Sequence, residues 1–166
     1  MSRLRLFLCV LAIASAAALC SAADRILFLH LAPTQAALFI SNADGSGERP
    51  LMQSGSLDYN PAWSPKGDWV VFTSERAGSA DLYRIHPDGT GLDRLTDDPA
   101  YDDQAAFSPD GKQIVFVTTR ATGRANLWIL DAASHTANPL TSGRGGDFLL
   151  GPLGRCSSLK CCSGCM

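Results

Sequence analysis

The chain has 166 residues, a net charge of −2 and 18% charged residues. No basic face is visible in it, which argues against nucleic acid or an anionic membrane as a partner. Six cysteines are placed so unevenly that none falls between Asp24 and Gly154, so packing rather than a disulfide framework must hold the body of the chain.

The first 23 residues read as a helical secretory signal peptide. Arg3 and Arg5 form a positive start, Leu6 to Leu19 a short apolar stretch, and Ser21 and Ala23 place small residues at positions −3 and −1 of a cleavage site. Asp24 would then be the first mature residue. The stretch is too short for a membrane anchor and no stop-transfer pattern follows. Lipidation at Cys20 would need a small residue before it, and Leu19 stands there. The mature chain of about 143 residues is one domain's worth, carries a net charge of −4 without the two arginines, and has no membrane span.

From Arg25 onward the chain repeats itself. Phe28, Phe72 and Phe116 stand 44 residues apart. Leu38 and Leu82 keep that step, as do Leu51 and Leu95; their next copies, Leu127 and Leu140, come one residue late because "RATGRAN" replaces "RAGSAD". An insertion confined to a loop is what a repeated unit tolerates. Each unit predicts four strands, in the second copy Asn60 to Ser64, Trp69 to Ser74, Asp81 to His86 and Leu92 to Thr96. Ser64-Pro65-Lys66-Gly67 and Ser108-Pro109-Asp110-Gly111 join the first two strands; Asn42-Ala43-Asp44-Gly45 and His86-Pro87-Asp88-Gly89 join the last two. Proline presets one backbone angle, and glycine accepts the positive φ that follows.

The middle strands, "WVVF", "QIVFV" and "NLWIL", are apolar at successive positions. A strand with one wet face alternates, so these are expected to be buried on both faces. Four-stranded units of 40–45 residues packed face to face are propeller blades. The expected fold class is all-β, a partial β-propeller of four-stranded antiparallel blades, with units over about 25–56, 57–100 and 101–146 within a domain spanning 24–148.

The stretch "PAWSPKGDWVVFTSERAGSADLYRIHPDGTGLDRLT" resembles the WD-like repeat of TolB-type propellers, which is shared with the propeller domains of tricorn and prolyl-oligopeptidase-like peptidases. The aromatic-Ser-Pro-x-Gly turn, the Ser/Thr-x-Arg at Ser74 to Arg76 and Thr118 to Arg120, the Asp-Gly-Thr-Gly turn and the closing Leu-Thr carry the resemblance. It implies a bacterial periplasmic or secreted setting and a protein- or ligand-binding platform.

The phase then breaks twice. "RILFLHL" aligns with a second strand, so the opening blade lacks its innermost strand. After Asp147 the repeat predicts an aromatic and Ser-Pro at 152 to 154, where Pro152, Leu153 and Gly154 stand. The stretch 149–166, with Cys156, Cys161, Cys162 and Cys165, reads as a non-repeat, disordered tail outside the evolved fold; a functional Cys-x-x-Cys cluster is the competing reading. About two full blades and one incomplete blade do not close a ring. The reading is therefore of a fragment whose end faces favour self-association.

Catalytic chemistry is hard to place. No Gly-x-Ser-x-Gly occurs, so no hydrolase nucleophile is predicted. "GSGERP" and "GTGLDR" lack the third glycine of a dinucleotide loop. His30, His86 and His135 match no metal spacing, and His86 reads as a solvated turn residue. No catalytic residue, cofactor or metal is expected. The recurrent polar pattern is Asp58, Asp102 and Asp147 before first strands and Arg76 and Arg120 after second strands. It reads either as a rim that binds a protein or peptide, or as structural, with aspartate capping turns and arginine pairing between blades. The leading expectation is an exported, non-enzymatic binding scaffold. The alternatives are the substrate-gating propeller of a serine peptidase lacking its catalytic domain, and a non-functional truncation product.

Overall fold

Tight turns set where the strands fold back. In the computed structural model, which describes residues 25–32, 35–53, 55–121, 123–141 and 147, the amides of Gly45, Gly67, Gly89 and Gly111 each donate to the carbonyl three residues earlier at 2.9 Å. All four glycines have positive φ, between 70 and 90°, a region a side chain would strain. The turn carboxylates finish the job: Asp88 Oδ1 accepts from the Thr90 hydroxyl at 2.7 Å and the Thr90 amide at 2.9 Å, and those bonds, the hydroxyl first, hold its pKa below the ordinary carboxylate value.

Eleven strands result among the described residues: β1 (Arg25–Ala32), β2 (Gln35–Asn42), β3 (Arg49–Pro50), β4 (Asp58–Trp63), β5 (Val70–Ser74), β6 (Asp81–Ile85), β7 (Asp93–Arg94), β8 (Asp102–Phe107), β9 (Gln113–Thr118), β10 (Asn126–Asp131) and β11 (Ala137–Pro139). They form three antiparallel sheets ordered β1-β2-β3, β4-β5-β6-β7 and β11-β10-β9-β8. The expected all-β partial propeller is observed, and the first sheet lacks the inner strand that β4 and β8 supply to the others. The apolar leader and the cysteine-rich stretch lie outside the described residues.

The repeated leucines are hydrogen-bonded to one another through the backbone. Leu51 N donates to Leu38 O, Leu95 N to Leu82 O and Leu140 N to Leu127 O, at 2.8, 2.8 and 2.9 Å. The threonine after the fourth strand turns its hydroxyl back to the same place: Thr96 Oγ1 accepts from Leu82 N at 2.9 Å and Thr141 Oγ1 from Leu127 N at 3.0 Å. The closing Leu-Thr thus fastens the outer edge of the second and third sheets to their third strands, while in the first sheet Met52 follows Leu51 and only the backbone bond is made.

The core lies between the sheets. Val70, Phe72, Tyr83 and Ile85 of the second sheet pack on Leu38 and Ile40 of the first. On the other side, Val71 and Leu82 pack with Ile114, Phe116 and Leu130 of the third. All five residues of β5 are buried, which is what an apolar run without alternation demands.

Two expectations need correction. The fourth strand pairs only over Asp93–Arg94 and leaves Leu92 46% exposed; a very short outer strand offers little edge for stray pairing. The outward face of the third sheet is not bare either, since Val115 and Val117 are buried. They sit in a central strand, flanked by Ala106 of β8 and by Leu127 and Ile129 of β10. The outward face of the first sheet is more open, with Ile26 45% exposed and Phe28 and Phe39 half-buried.

Gly45 and Gly89 hold the same repeat position, but a Cβ on Gly89 would meet the Leu51 carbonyl oxygen at 2.7 Å while one on Gly45 meets nothing within 4 Å. Gly45→Ala should cost about 1 kcal/mol from φ alone. Gly89→Ala should cost at least about twice that, because backbone of the first sheet has to move. Urea unfolding of the two variants checks the difference; equal losses would contradict the packing described.

Candidate functional site

The Ser/Thr-x-Arg motif is a local device for aiming a guanidinium. Ser74 Oγ accepts from Arg76 Nε at 2.8 Å, and the arginine then bonds Asp58 at 2.9 Å. In the third sheet Thr118 Oγ1 accepts from the Arg120 amide at 3.3 Å, and Arg120 is paired with Asp102. Each guanidinium also lies over two rings: Arg76 over Phe72 and Tyr83 at 5.6 and 4.9 Å, Arg120 over Phe116 and Trp128 at 5.6 and 5.5 Å. Cation–π attraction and the ion pair thus act on the same group.

The predicted rim residues are therefore brought together, pair by pair. Asp58 and Asp102 are the first residues of β4 and β8, fully buried beneath arginines that are 22% and 16% exposed. The pairs close within a sheet, because Asp58 faces Ser74 and Asp102 faces Thr118 in the strand register. Contact with the preceding sheet is secondary: Arg76 reaches Met52 Sδ at 3.5 Å and Arg120 reaches Asp98 at 3.8 Å. Asp147 is half-buried. Its carboxylate accepts from the Thr141 hydroxyl at 2.5 Å, and its amide donates to Ala125 O at 3.0 Å.

Between β4 and β8 lies a second layer of polar contacts that the repeat does not announce. Asp103 Oδ1 accepts from Asn60 Nδ2 at 2.8 Å, from Thr73 Oγ1 at 2.7 Å and from the Gln104 amide at 2.7 Å. One buried carboxylate thus ties the second sheet to the third. Beside it the Tyr59 and Tyr101 hydroxyls meet at 2.9 Å, and Tyr59 donates to Glu75 at 3.2 Å. Burial first, then the bond with Tyr101, pushes the Tyr59 phenol well above its ordinary value, so it stays a neutral donor. Tyr101 is 47% exposed, and Asn60 and Glu75 are exposed.

Asn60 and Gln104, one repeat apart, both have positive φ, 51 and 53°. Each sits in a register shift of its inner strand, a β-bulge that re-aims neighbouring side chains. A non-glycine residue held there costs of order 1–3 kcal/mol and persists where its surroundings impose it. The signal for this layer was a departure from the repeat: Asp103 stands where the second copy has Tyr59.

At the sheets' other end His86 is not simply solvated. It stacks on Trp69 with ring centroids 3.7 Å apart, and its Nδ1 lies 2.8 Å from Asp68 O. Trp69 offers it a flat apolar surface that water would otherwise cover. Arg84, over the other ring contact of Trp69 at 4.6 Å, donates to Ala132 O at 2.7 Å and so links the second and third sheets. Among the described residues no group of three or more His, Cys, Asp or Glu is placed to hold a metal ion, and no helix is long and apolar enough to cross a membrane.

Residues 11–149 match the family model of the TolB beta propeller domain. Among solved structures the chain is similar to one from Agrobacterium tumefaciens assigned as TolB, at 22% identity and a TM-score of 0.65, over 71% of this chain and 45% of that one. It is similar to TolB from Acinetobacter baumannii at 23% identity and 0.64, over 71% and 30%, and to the tricorn protease at 17% identity and 0.52, over 70% and 10%. The chain spans less than half the length of each. At these identities the likeness shows the fold.

Arg120→Ala leaves Asp102 buried without its cation and should cost about 3–5 kcal/mol. Adding Asp102→Asn, which removes the stranded charge, should recover part of that loss. Chemical denaturation of the single and double variants reads both values, and a double variant less stable than the single would contradict the pairing.

Proposed function

The chain belongs to the TolB beta propeller domain family, and from that premise we propose that it serves as an exported, non-enzymatic binding scaffold for a protein or peptide. The observation that carries the reading is the pair of left-handed inner-strand residues, Asn60 and Gln104. Backbone strain at equivalent points of two sheets, beside polar groups drawn from both, is the kind of feature that clusters at binding sites. Function on a propeller resides in such grafted sites rather than in the fold.

Within this reading the predicted rim divides into two roles. Asp58 and Asp102 are the buried frame, with Arg76 and Arg120 as its lid, and Asp147 continues the series. Tyr101, Glu75 and Asn60 are what an approaching chain would meet. Exposed tyrosine with a fixed hydroxyl partner suits peptide recognition, offering apolar area and a hydrogen bond at little entropic cost. The similarity to tricorn protease, at 17% identity, is one of fold alone and does not favour the peptidase-gate reading.

The proposal has two checks. Expressed in a bacterium, the chain should be recovered outside the cytoplasm with Asp24 as its first residue by N-terminal sequencing; retention in the cytosol with Met1 in place would count against export. A partner cross-linked to the exported chain should be lost, by at least about tenfold, from Tyr101→Ala and Glu75→Ala, but not from Leu92→Ser on the outer edge. Equal retention by all three variants would remove the rim from the reading.

A further inference from the structure

The hydrogen bonds of the rim between β4 and β8 run in one direction. The Glu75 carboxylate can only accept, so the Tyr59 hydroxyl donates to it at 3.2 Å. Burial pushes the pKa of the Tyr59 phenol up, so Tyr59 keeps that proton. Its one proton being engaged, the contact of 2.9 Å between the Tyr59 and Tyr101 hydroxyls has Tyr101 as the donor. The series therefore runs from Tyr101 through Tyr59 to Glu75 and ends in a negative charge. Its two ends offer incoming groups only acceptors, the Tyr101 oxygen and the carboxylate. Asn60 is set in the same sense, because its Nδ2 donates to Asp103 at 2.8 Å and leaves its amide oxygen as the remaining acceptor.

Nothing in the chain answers these acceptors with a cation. Glu75 makes no ion pair among the described residues, although it is exposed. Arg76 and Arg120 are paired with Asp58 and Asp102. Lys66 and Lys112 lie in the turns at the opposite end of these strands. The repeat does not ask for the feature either: the other copies of Glu75 are Leu31 and Thr119, and the earlier copy of Tyr101 is Leu57. What the other units do without is not what holds a blade together. Yet both residues are fixed through their backbones. Glu75 N donates to Leu57 O at 3.1 Å; Tyr101 N donates to Thr119 Oγ1, and Thr119 N to Tyr101 O, each at 3.1 Å. A surface ordered in advance has less freedom to lose when a partner binds.

We propose that this rim takes an arginine side chain from its partner, the guanidinium bonded to the Glu75 carboxylate and lying over the exposed ring of Tyr101. The carboxylate and that ring flank one hydroxyl, so a single side chain can meet both. The oxygens of Tyr101 and Asn60 are left to accept from the N–H groups of the peptide around it. A guanidinium suits the place better than an ammonium, because it is planar, more weakly hydrated and stacks on aromatic faces. The chain makes the same combination internally, where Arg76 and Arg120 each bond a carboxylate while lying over aromatic rings. All the groups involved come from the second and third sheets. The inference rests on the rim being a binding surface and names what that surface holds.

Short Gly-Ser peptides with arginine, lysine, citrulline or glutamate at the centre, titrated into the chain, should bind with affinity falling in that order. The readout is the NMR shift of the Tyr101 and Glu75 amides. Citrulline keeps the shape of arginine without its charge, and should bind at least about fivefold more weakly. Glu75→Gln, which keeps an acceptor for Tyr59, should weaken the arginine peptide by a similar factor and narrow its lead over citrulline. Glu48→Gln removes an exposed charge from the first sheet and should change neither. Lysine or citrulline binding as well as arginine, or equal effects of Glu75→Gln and Glu48→Gln, would overturn the proposal. A preference at Tyr101 for the neutral or acidic peptide would also overturn it, while leaving the rim a binding surface. Unmoved Tyr101 and Glu75 resonances with every peptide would overturn it and count against the rim as well.

Discussion

The rest of the structure depends on a strand that is apolar on both faces. Val70, Val71 and Phe72 leave no side of β5 that water could wet, so the strand is stable only when a sheet lies on each side of it. The clusters around Leu38 and around Ile114 are those two sheets. Side-chain burial at roughly 25 cal/mol per Å2 of apolar surface makes this the dominant favourable term. The turns, caps and latches act on it by deciding which side chains arrive at the interface.

Polar groups enter this frame at its edges and have to be satisfied there. At one end Asp58 and Asp102 would be uncompensated charges without the arginines, and the arginines would wander without Ser74, Thr118 and the ring pairs beneath them. A buried ion pair of this kind adds little net stability but is costly to break, so its effect is to fix the register of inner and second strands. Asp103 does the same between sheets, gathering donors from β4, β5 and its own strand. The bulges at Asn60 and Gln104 lie in that polar layer, and Asn60, Glu75 and Tyr101 stand exposed beside it. A frame built for register thereby exposes a small, rigid polar surface, and that surface is what the proposed binding role uses.

The fold was legible in the sequence because its signals are local. Proline, glycine and aspartate at fixed offsets set the turns, and uninterrupted apolar runs between them admit few other architectures. The missing inner strand of the first sheet could be read from phase alone, since "RILFLHL" aligns with the second strand. The site was legible only in part. Asp58 with Arg76, and Asp102 with Arg120, stood out because they recur, yet recurrence does not say whether a pair closes within a sheet or across two. Asp103, Tyr59 and Tyr101 were silent because their meaning arises between sheets, where residues one repeat apart in sequence meet in space. His86 was misjudged for a different reason: its turn is polar in composition, but the pairing of β5 with β6 within one sheet lays it against Trp69.

The grip on both faces can be measured strand by strand through native-state hydrogen exchange on dilute, monomeric chain. Amides of Val70 to Ser74 in β5 should exchange only through global unfolding, with the highest protection in the molecule, while those of Leu27 to His30 in β1 should open locally and exchange faster. Equal protection in the two strands, or faster exchange in β5, would contradict an architecture in which each middle strand is held by the sheets on either side.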